Sequence, residues 1–286
     1  MSFDPAAHRQ ASLENWEAAA SGWRRRRELL DAYAAPVAHW MLEAVSPQPG
    51  ERVLELAAGM GETGLLAAEL VAPAGSVIIS DQAEAMLEGA RARAAELGIE
   101  NVRFQVLNAE WIDLPLASVD VVLCRWGFML MVDPGAALAE TRRVLAPGGR
   151  LALAVWDSIE HNPWASLPFL ELAERGIAPA GAAQDEPRPG PFALGDAARL
   201  AELLEGAGFT GVSVEAIELP RRQASFEEFW ETTLDLSRMF HDAVLERPQP
   251  EIDAIKRALE QRFAPYTGAD GKLDIPGRTL VASASA

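Results

Sequence analysis

A chain of 286 residues, 49% hydrophobic and 23% charged, carries enough apolar side chain for one large α/β core with an added cap. Its 22 glycines and 19 prolines exclude collagen, a coiled-coil rod and wholesale disorder. A formal charge of −17 repels polyanions, so nucleic acid is not an expected partner; the preference for arginine at all but two of the 25 basic positions is given no functional weight. The single cysteine, Cys124, excludes an intrachain disulfide and a multi-cysteine zinc site. No metal site is expected. The polar opening segment lacks the basic-then-apolar signature of a secretory leader, and no run approaches the roughly 18 apolar residues of a membrane span, so the expected compartment is the cytoplasm.

In chain order, residues 1–46 pattern as one or two helices containing Trp16, Trp23 and Trp40, an N-terminal helical cap. Residues 47–156 then alternate short apolar runs with longer amphipathic ones, the pattern of parallel strands joined by crossover helices. Strands are expected at 52–56, 76–80, 102–107, 119–124 and 150–156, with helices at 62–71, 83–97 and 134–145 between them. The Pro147-Gly148-Gly149 segment should stop the last helix and turn the chain into the next strand. Residues 157–195, rich in Pro, Gly and Ala, form a loop or cap insertion. The core resumes over 196–219 with a helix at 196–206 and a sixth strand at 211–219. Residues 220–275 form a helical cap insertion, and 276–286 hold the last core strand, at 278–284. Insertions at strand ends fall on the edge where open α/β sheets bind ligands.

The most informative stretch is Val53-Leu-Glu-Leu-Ala-Ala-Gly-Met-Gly-Glu-Thr-Gly64, in which a strand enters a glycine-containing turn and a helix leaves it. Gly59 and Gly61 lack a Cβ and allow a ligand to approach the main chain beside helix N–H groups. Gly59, Gly61 and Gly64 also satisfy the dinucleotide fingerprint, and Asp81 lies 20 residues beyond Gly61, where a ribose-binding acid is expected. Glu55 separates the two readings: a carboxylate at the strand end repels a pyrophosphate and attracts an ammonium or sulfonium. No second glycine fingerprint follows.

These motifs resemble those of the class I S-adenosylmethionine-dependent methyltransferases, in particular the bacterial small-molecule branch similar to ubiquinone/menaquinone C-methyltransferases. The resemblance implies a Rossmann-like, seven-stranded, mostly parallel sheet with helices on both faces and a helical cap. It further implies S-adenosyl-L-methionine as cofactor, its methionine part held at Glu55, Ala57, Gly59 and Gly61, and its ribose hydroxyls at Asp81. Gln82 and Met86 are placed near the adenine, and the Asn108-Ala109-Glu110 segment at the adenine amino group. Asn108 stands where the family usually has Asp, and Ala57 where it often has Gly. Each acid has an ordinary rival role: backbone bonding for Glu55, a helix N-cap for Asp81, an Asx turn for Asn108.

Methyl transfer from a sulfonium is an in-line displacement that demands positioning and desolvation more than a catalytic side chain. An acidic acceptor would be helped by a base. His161, just past the fifth strand, is the candidate base. Arg125, after the fourth strand, is a candidate partner for a substrate carboxylate, the cofactor carboxylate or Asp133. The apolar run Trp126-Gly-Phe-Met129 fits a small, largely apolar methyl acceptor, modified at oxygen or carbon. The run Arg24–Arg27 reads as solvated or salt-bridged, and Phe226, Phe229 and Trp230 as packing of the cap. Two alternatives stand beside this reading: an NAD(P)-dependent oxidoreductase using the same glycines, and a non-catalytic cofactor-binding member of the methyltransferase fold.

Overall fold

The computed structural model describes residues 3–177 and 188–286. The expected 157–195 insertion therefore lies partly outside the described residues. The N-terminal segment is two helices, α1 (Pro5–Arg25) and α2 (Arg27–Val45). Strands β1 (Arg52–Glu55), β2 (Ser76–Asp81), β3 (Val102–Val106), β4 (Val119–Arg125) and β5 (Leu145–Trp156) alternate with helices α3 (Glu62–Val71), α4 (Glu84–Leu97) and α5 (Pro134–Val144). Then come α6 (Pro163–Glu174), α7 (Ala197–Gly206), β6 (Thr210–Glu218), β7 (Arg221–Gln223), α8 (Phe226–Leu236), α9 (Arg238–Leu245), α10 (Gln249–Phe263), β8 (Leu273–Ile275) and β9 (Arg278–Ser285).

Seven strands form one sheet in the order β3-β2-β1-β4-β5-β9-β6. The strands from β3 to β5 pair in parallel, while β9 runs antiparallel between β5 and β6. An all-parallel dinucleotide sheet places its sixth strand directly beside the fifth; the interposed antiparallel strand sets this chain apart from that architecture. Strand β4, Val-Asp-Val-Val-Leu-Cys-Arg, is buried at nearly every position, as a central parallel strand covered on both faces must be. Asp133 caps α5, Asp196 caps α7, and Ser225 and Ser237 cap α8 and α9, each accepting a backbone N–H that the first helical turn leaves unpaired.

Three points differ from the sequence expectation. The Leu145–Arg150 stretch is not a free turn: Leu145 already pairs with Val119, and the strand bulges through Gly148, at φ +77°, before Arg150 pairs with Val121. Helix α2 is not confined to a cap, since Val37, Met41, Leu42 and Val45 enter the main core beneath the sheet. The stretch between β6 and β9 is not wholly helical, because β7 and β8 pair as a two-stranded ribbon that ties its two ends together. Leu172 of α6 joins the aromatic residues Phe226, Phe229, Trp230, Phe240 and Phe263 in a second, separate core.

Candidate active site

The glycine loop turns tightly between β1 and α3. Gly59 and Gly61 adopt φ of +55° and +77°, and Ala57 adopts +49° despite its Cβ. The two glycines serve different ends. A Cβ on Gly61 would come within 2.9 Å of the Ala90 Cβ, so that position is set by packing against α4. A Cβ on Gly59 would meet only the Trp23 ring, at 3.9 Å, and this is the position left open beneath α1. Glu55 is buried, and its Oε2 accepts the Gly64 N–H at 2.9 Å. Burial pushes its carboxyl up to about 8, against the pull of the Arg125 guanidinium and the Gly64 N–H.

Asp81 ends β2 buried, accepting N–H from Gly59 at 2.9 Å and from Ala83 at 2.9 Å. It thus fixes the glycine loop and the start of α4 together, and desolvation holds its carboxyl above the usual range. Asn108 forms the Asx turn, its Oδ1 accepting the Glu110 N–H at 2.8 Å. Glu110 is buried and doubly engaged: Oε1 accepts the Val132 N–H at 2.8 Å, and Oε2 accepts from Arg9 Nε at 2.9 Å. Ala109 is buried beside it.

Helix α1 lies across this edge. Arg9 holds Glu110, the Gln82 amide donates to Ser12 Oγ at 3.2 Å, and Glu17 accepts N–H from Glu84 and Ala85 at the start of α4. Beneath it Ala19, Ala20, Met60, Ala83 and Met86 form a buried apolar cluster flanked by Trp16 and Trp23. Met86 is wholly buried there. Sequence reasoning placed residues 1–46 in a cap over the ligand edge but named none of the α1 side chains that meet the glycine-loop edge; its legible signal was the tryptophan pair, seven residues apart on one helical face. The Arg24–Arg27 run is salt-bridged: Arg25 and Arg26 pair with Asp235 of α8, and Arg27 with Glu96 of α4.

Arg125 pairs with Glu62 at 2.7 Å, and not with Asp133, whose carboxylate caps α5. Its Nη1 is buried and has no hydrogen-bond partner among the described residues. The next residue, Trp126, holds φ +59°, an outlier for a bulky side chain. Its indole N–H donates to Thr279 Oγ1 at 3.0 Å, and its ring stacks on Trp156 with centroids 4.5 Å apart. Trp156 meets Trp164 edge-on at 4.9 Å, and Tyr33 lies 6.4 Å from both Trp126 and Trp156. This aromatic row was legible only at Trp126. His161 lies in a separate network, its side chain 43% exposed, with Nδ1 bonded to Arg278 Nη2 at 2.9 Å and Ser158 Oγ at 3.0 Å. No glycine-loop residue is among its partners.

A mostly parallel sheet with a glycine loop after β1 and acids at the ends of β2 and β3 defines a Rossmann-like enzyme class that binds an adenosine-containing cofactor at its carboxyl edge. A family model described as a methyltransferase domain matches residues 47–172. The nocamycin O-methyltransferase of Saccharothrix syringae is 32% identical over 198 residues, which span 67% of this chain and 71% of that protein. The ubiquinone/menaquinone biosynthesis C-methyltransferase UbiE of Shewanella frigidimarina is 32% identical over 122 residues, 42% of this chain and 49% of its own length. Among solved structures, the YcgJ protein from Bacillus subtilis shares the fold with a TM-score of 0.56 at 18% identity, over 87% of this chain and 97% of that one. The chain belongs to the S-adenosylmethionine-dependent methyltransferases, with S-adenosyl-L-methionine as its cofactor.

The site's own chemistry fits that cofactor. An orphaned guanidinium N–H at Arg125 suits a carboxylate, the open face of Gly59 admits close approach to the main chain, and the apolar cluster under α1 suits a flat base.

Proposed function

We propose that this enzyme transfers a methyl group to oxygen or carbon of a small, largely apolar acceptor. The observation that carries the reading is the aromatic row Trp126, Trp156, Trp164 and Tyr33, which begins one residue beyond β4 and beside the glycine loop. The O- and C-methyltransferase names of the relatives agree with it. On this reading Arg125 Nη1 holds the cofactor carboxylate, Asp81 the ribose hydroxyls, and Gly59 and Ala57 the methionine backbone. Gln82, Met86 and the Asn108–Glu110 turn lie around the adenine, with α1 as the cover. The bound cofactor supplies an already electrophilic methyl carbon. The chain's own task is to exclude water with its tryptophans and hold the acceptor in line, and this needs no universal base. His161 is given no proton-transfer role, because its Nδ1 is engaged by Arg278. Glu55 acts through the Gly64 N–H as a support of the loop. The free, buried Cys124 supports a reducing compartment, which we take to be the cytoplasm. Among the described residues no helix is long and apolar enough to cross a membrane.

The test is turnover of S-adenosylmethionine, read as release of its demethylated product, with a panel of phenols, quinols and enols beside a panel of primary amines. Turnover confined to the first panel is expected. Turnover confined to amines would overturn the acceptor assignment.

A further inference from the structure

The far end of the aromatic row carries a charge that the reading above leaves unused. Arg221 opens β7, and its guanidinium lies over the Trp164 ring at 4.2 Å and the Tyr33 ring at 5.3 Å. The residue is partly buried, and among the described residues it has no carboxylate partner. The neighbouring Arg222 is paired with Asp274, and the half-buried Arg26, Arg125, Arg150 and Arg262 each hold an acid, whereas Arg188, stacked on Phe3, has none among the described residues. The one titratable group acting on Arg221 is the Tyr33 hydroxyl, which donates to the Leu219 carbonyl at 3.1 Å and supplies no counter-charge. Burial works against a guanidinium in such a place, and an uncompensated interior charge is costly to keep. Two aromatic rings lie beside the guanidinium, and the N–H fork, the part that recognises carboxylates in pairs of hydrogen bonds, has no acidic partner among the described residues.

The path from the cofactor loop to this charge is continuous. A Cβ on Gly127 would come within 2.6 Å of Ala57, so the loop after β4 lies against the glycine loop. From there Trp126 stacks on Trp156, Trp156 meets Trp164, and Trp164 carries Arg221. Resting on the acceptor assignment made above, we propose that Arg221 is a specificity-determining residue that binds an anionic group of the acceptor. The acceptor is then a planar, conjugated molecule whose body lies along the tryptophans and whose single acidic group, a carboxylate or an acidic enol, sits at the end remote from the methylated atom.

The test is calorimetric titration of the protein saturated with S-adenosylhomocysteine, using 2-naphthoate, the acidic enol 4-hydroxycoumarin and the neutral 2-naphthamide. At least one anion should bind tenfold or more tightly than the amide, and which anion does so distinguishes carboxylate from enol recognition. In Arg221→Gln the preference should fall to within about twofold. In Arg221→Lys, which keeps the charge and loses the flat fork, it should be intermediate. S-adenosylhomocysteine affinity should be unchanged in both variants, which also reports their folding. Equal binding of amide and anions, binding of none of the three, or a preference that survives Arg221→Gln would overturn the proposal. Failure of the wild-type protein to bind S-adenosylhomocysteine would instead overturn the methyltransferase reading beneath it.

Discussion

Ala57 and Trp126 are non-glycine residues in left-handed backbone on either side of one contact, where Gly127 meets the glycine loop. A left-handed L-residue costs roughly 1–2 kcal/mol, part of which returns as the extra freedom a glycine has when unfolded. Ala57→Gly should therefore raise stability by about 0.5–1 kcal/mol in a denaturant titration. Gly127→Ala should lower it by about 1–3 kcal/mol, since the new Cβ would meet Ala57 and the Cys124 Sγ, each at 2.6 Å. Glu55 gives a pH signature. Its folded value of about 8 lies above the ordinary 4.5 of a glutamate, so the unfolded chain releases this proton first and the native state loses stability as pH rises between the two. Below 4.5 and above 8 the contribution is flat. Thermal melts from pH 5 to 9 should show wild type losing on the order of a few kcal/mol more than Glu55→Gln. Parallel curves for the two proteins would remove the raised carboxyl from the account.

At the scale of elements, α1 owes its place to polar contacts spread along its length. Arg9 reaches Glu110, Ser12 meets Gln82, and Glu17 takes two N–H groups of α4. Arg9→Met leaves a buried carboxylate without its cation and should weaken cofactor binding about tenfold by calorimetry, mostly through faster dissociation. Unchanged affinity would mean that α1 does not cover the cofactor. The sheet was legible because its central strands are short apolar runs with a turn behind them, while β3 and β6 alternate polar and apolar residues, and α3 is seen over the residues its periodicity assigns. The ribbon β7–β8 was not, because Arg-Arg-Gln and Leu-Asp-Ile are too short to show alternation and find each other across some 50 residues of chain. The part α1 plays was hidden for a similar reason: its helix is readable from spacing, but Arg9 and Glu110 are joined only by the fold. Within the site, the loop glycines and Asp81 were legible as a motif, whereas the aromatic row draws Tyr33, Trp126, Trp156 and Trp164 from four separate elements.

At the scale of the whole molecule, ligand binding to the native state alone should raise its melting temperature. At a hundredfold excess over its Kd, S-adenosylhomocysteine contributes about 2.7 kcal/mol, roughly 4–5 °C for a chain of this size, and NAD should contribute nothing. A shift with NAD alone would contradict the assignment. Helix α1 is stitched to α8. Arg25 and Arg26 grip Asp235, the Trp23 indole donates to the Leu236 carbonyl at 3.2 Å, and Gly22 is pressed against the Asp235 backbone so closely that no side chain fits between them. Any displacement of α1 would therefore strain α8 as well, so that the two helices are mechanically one piece.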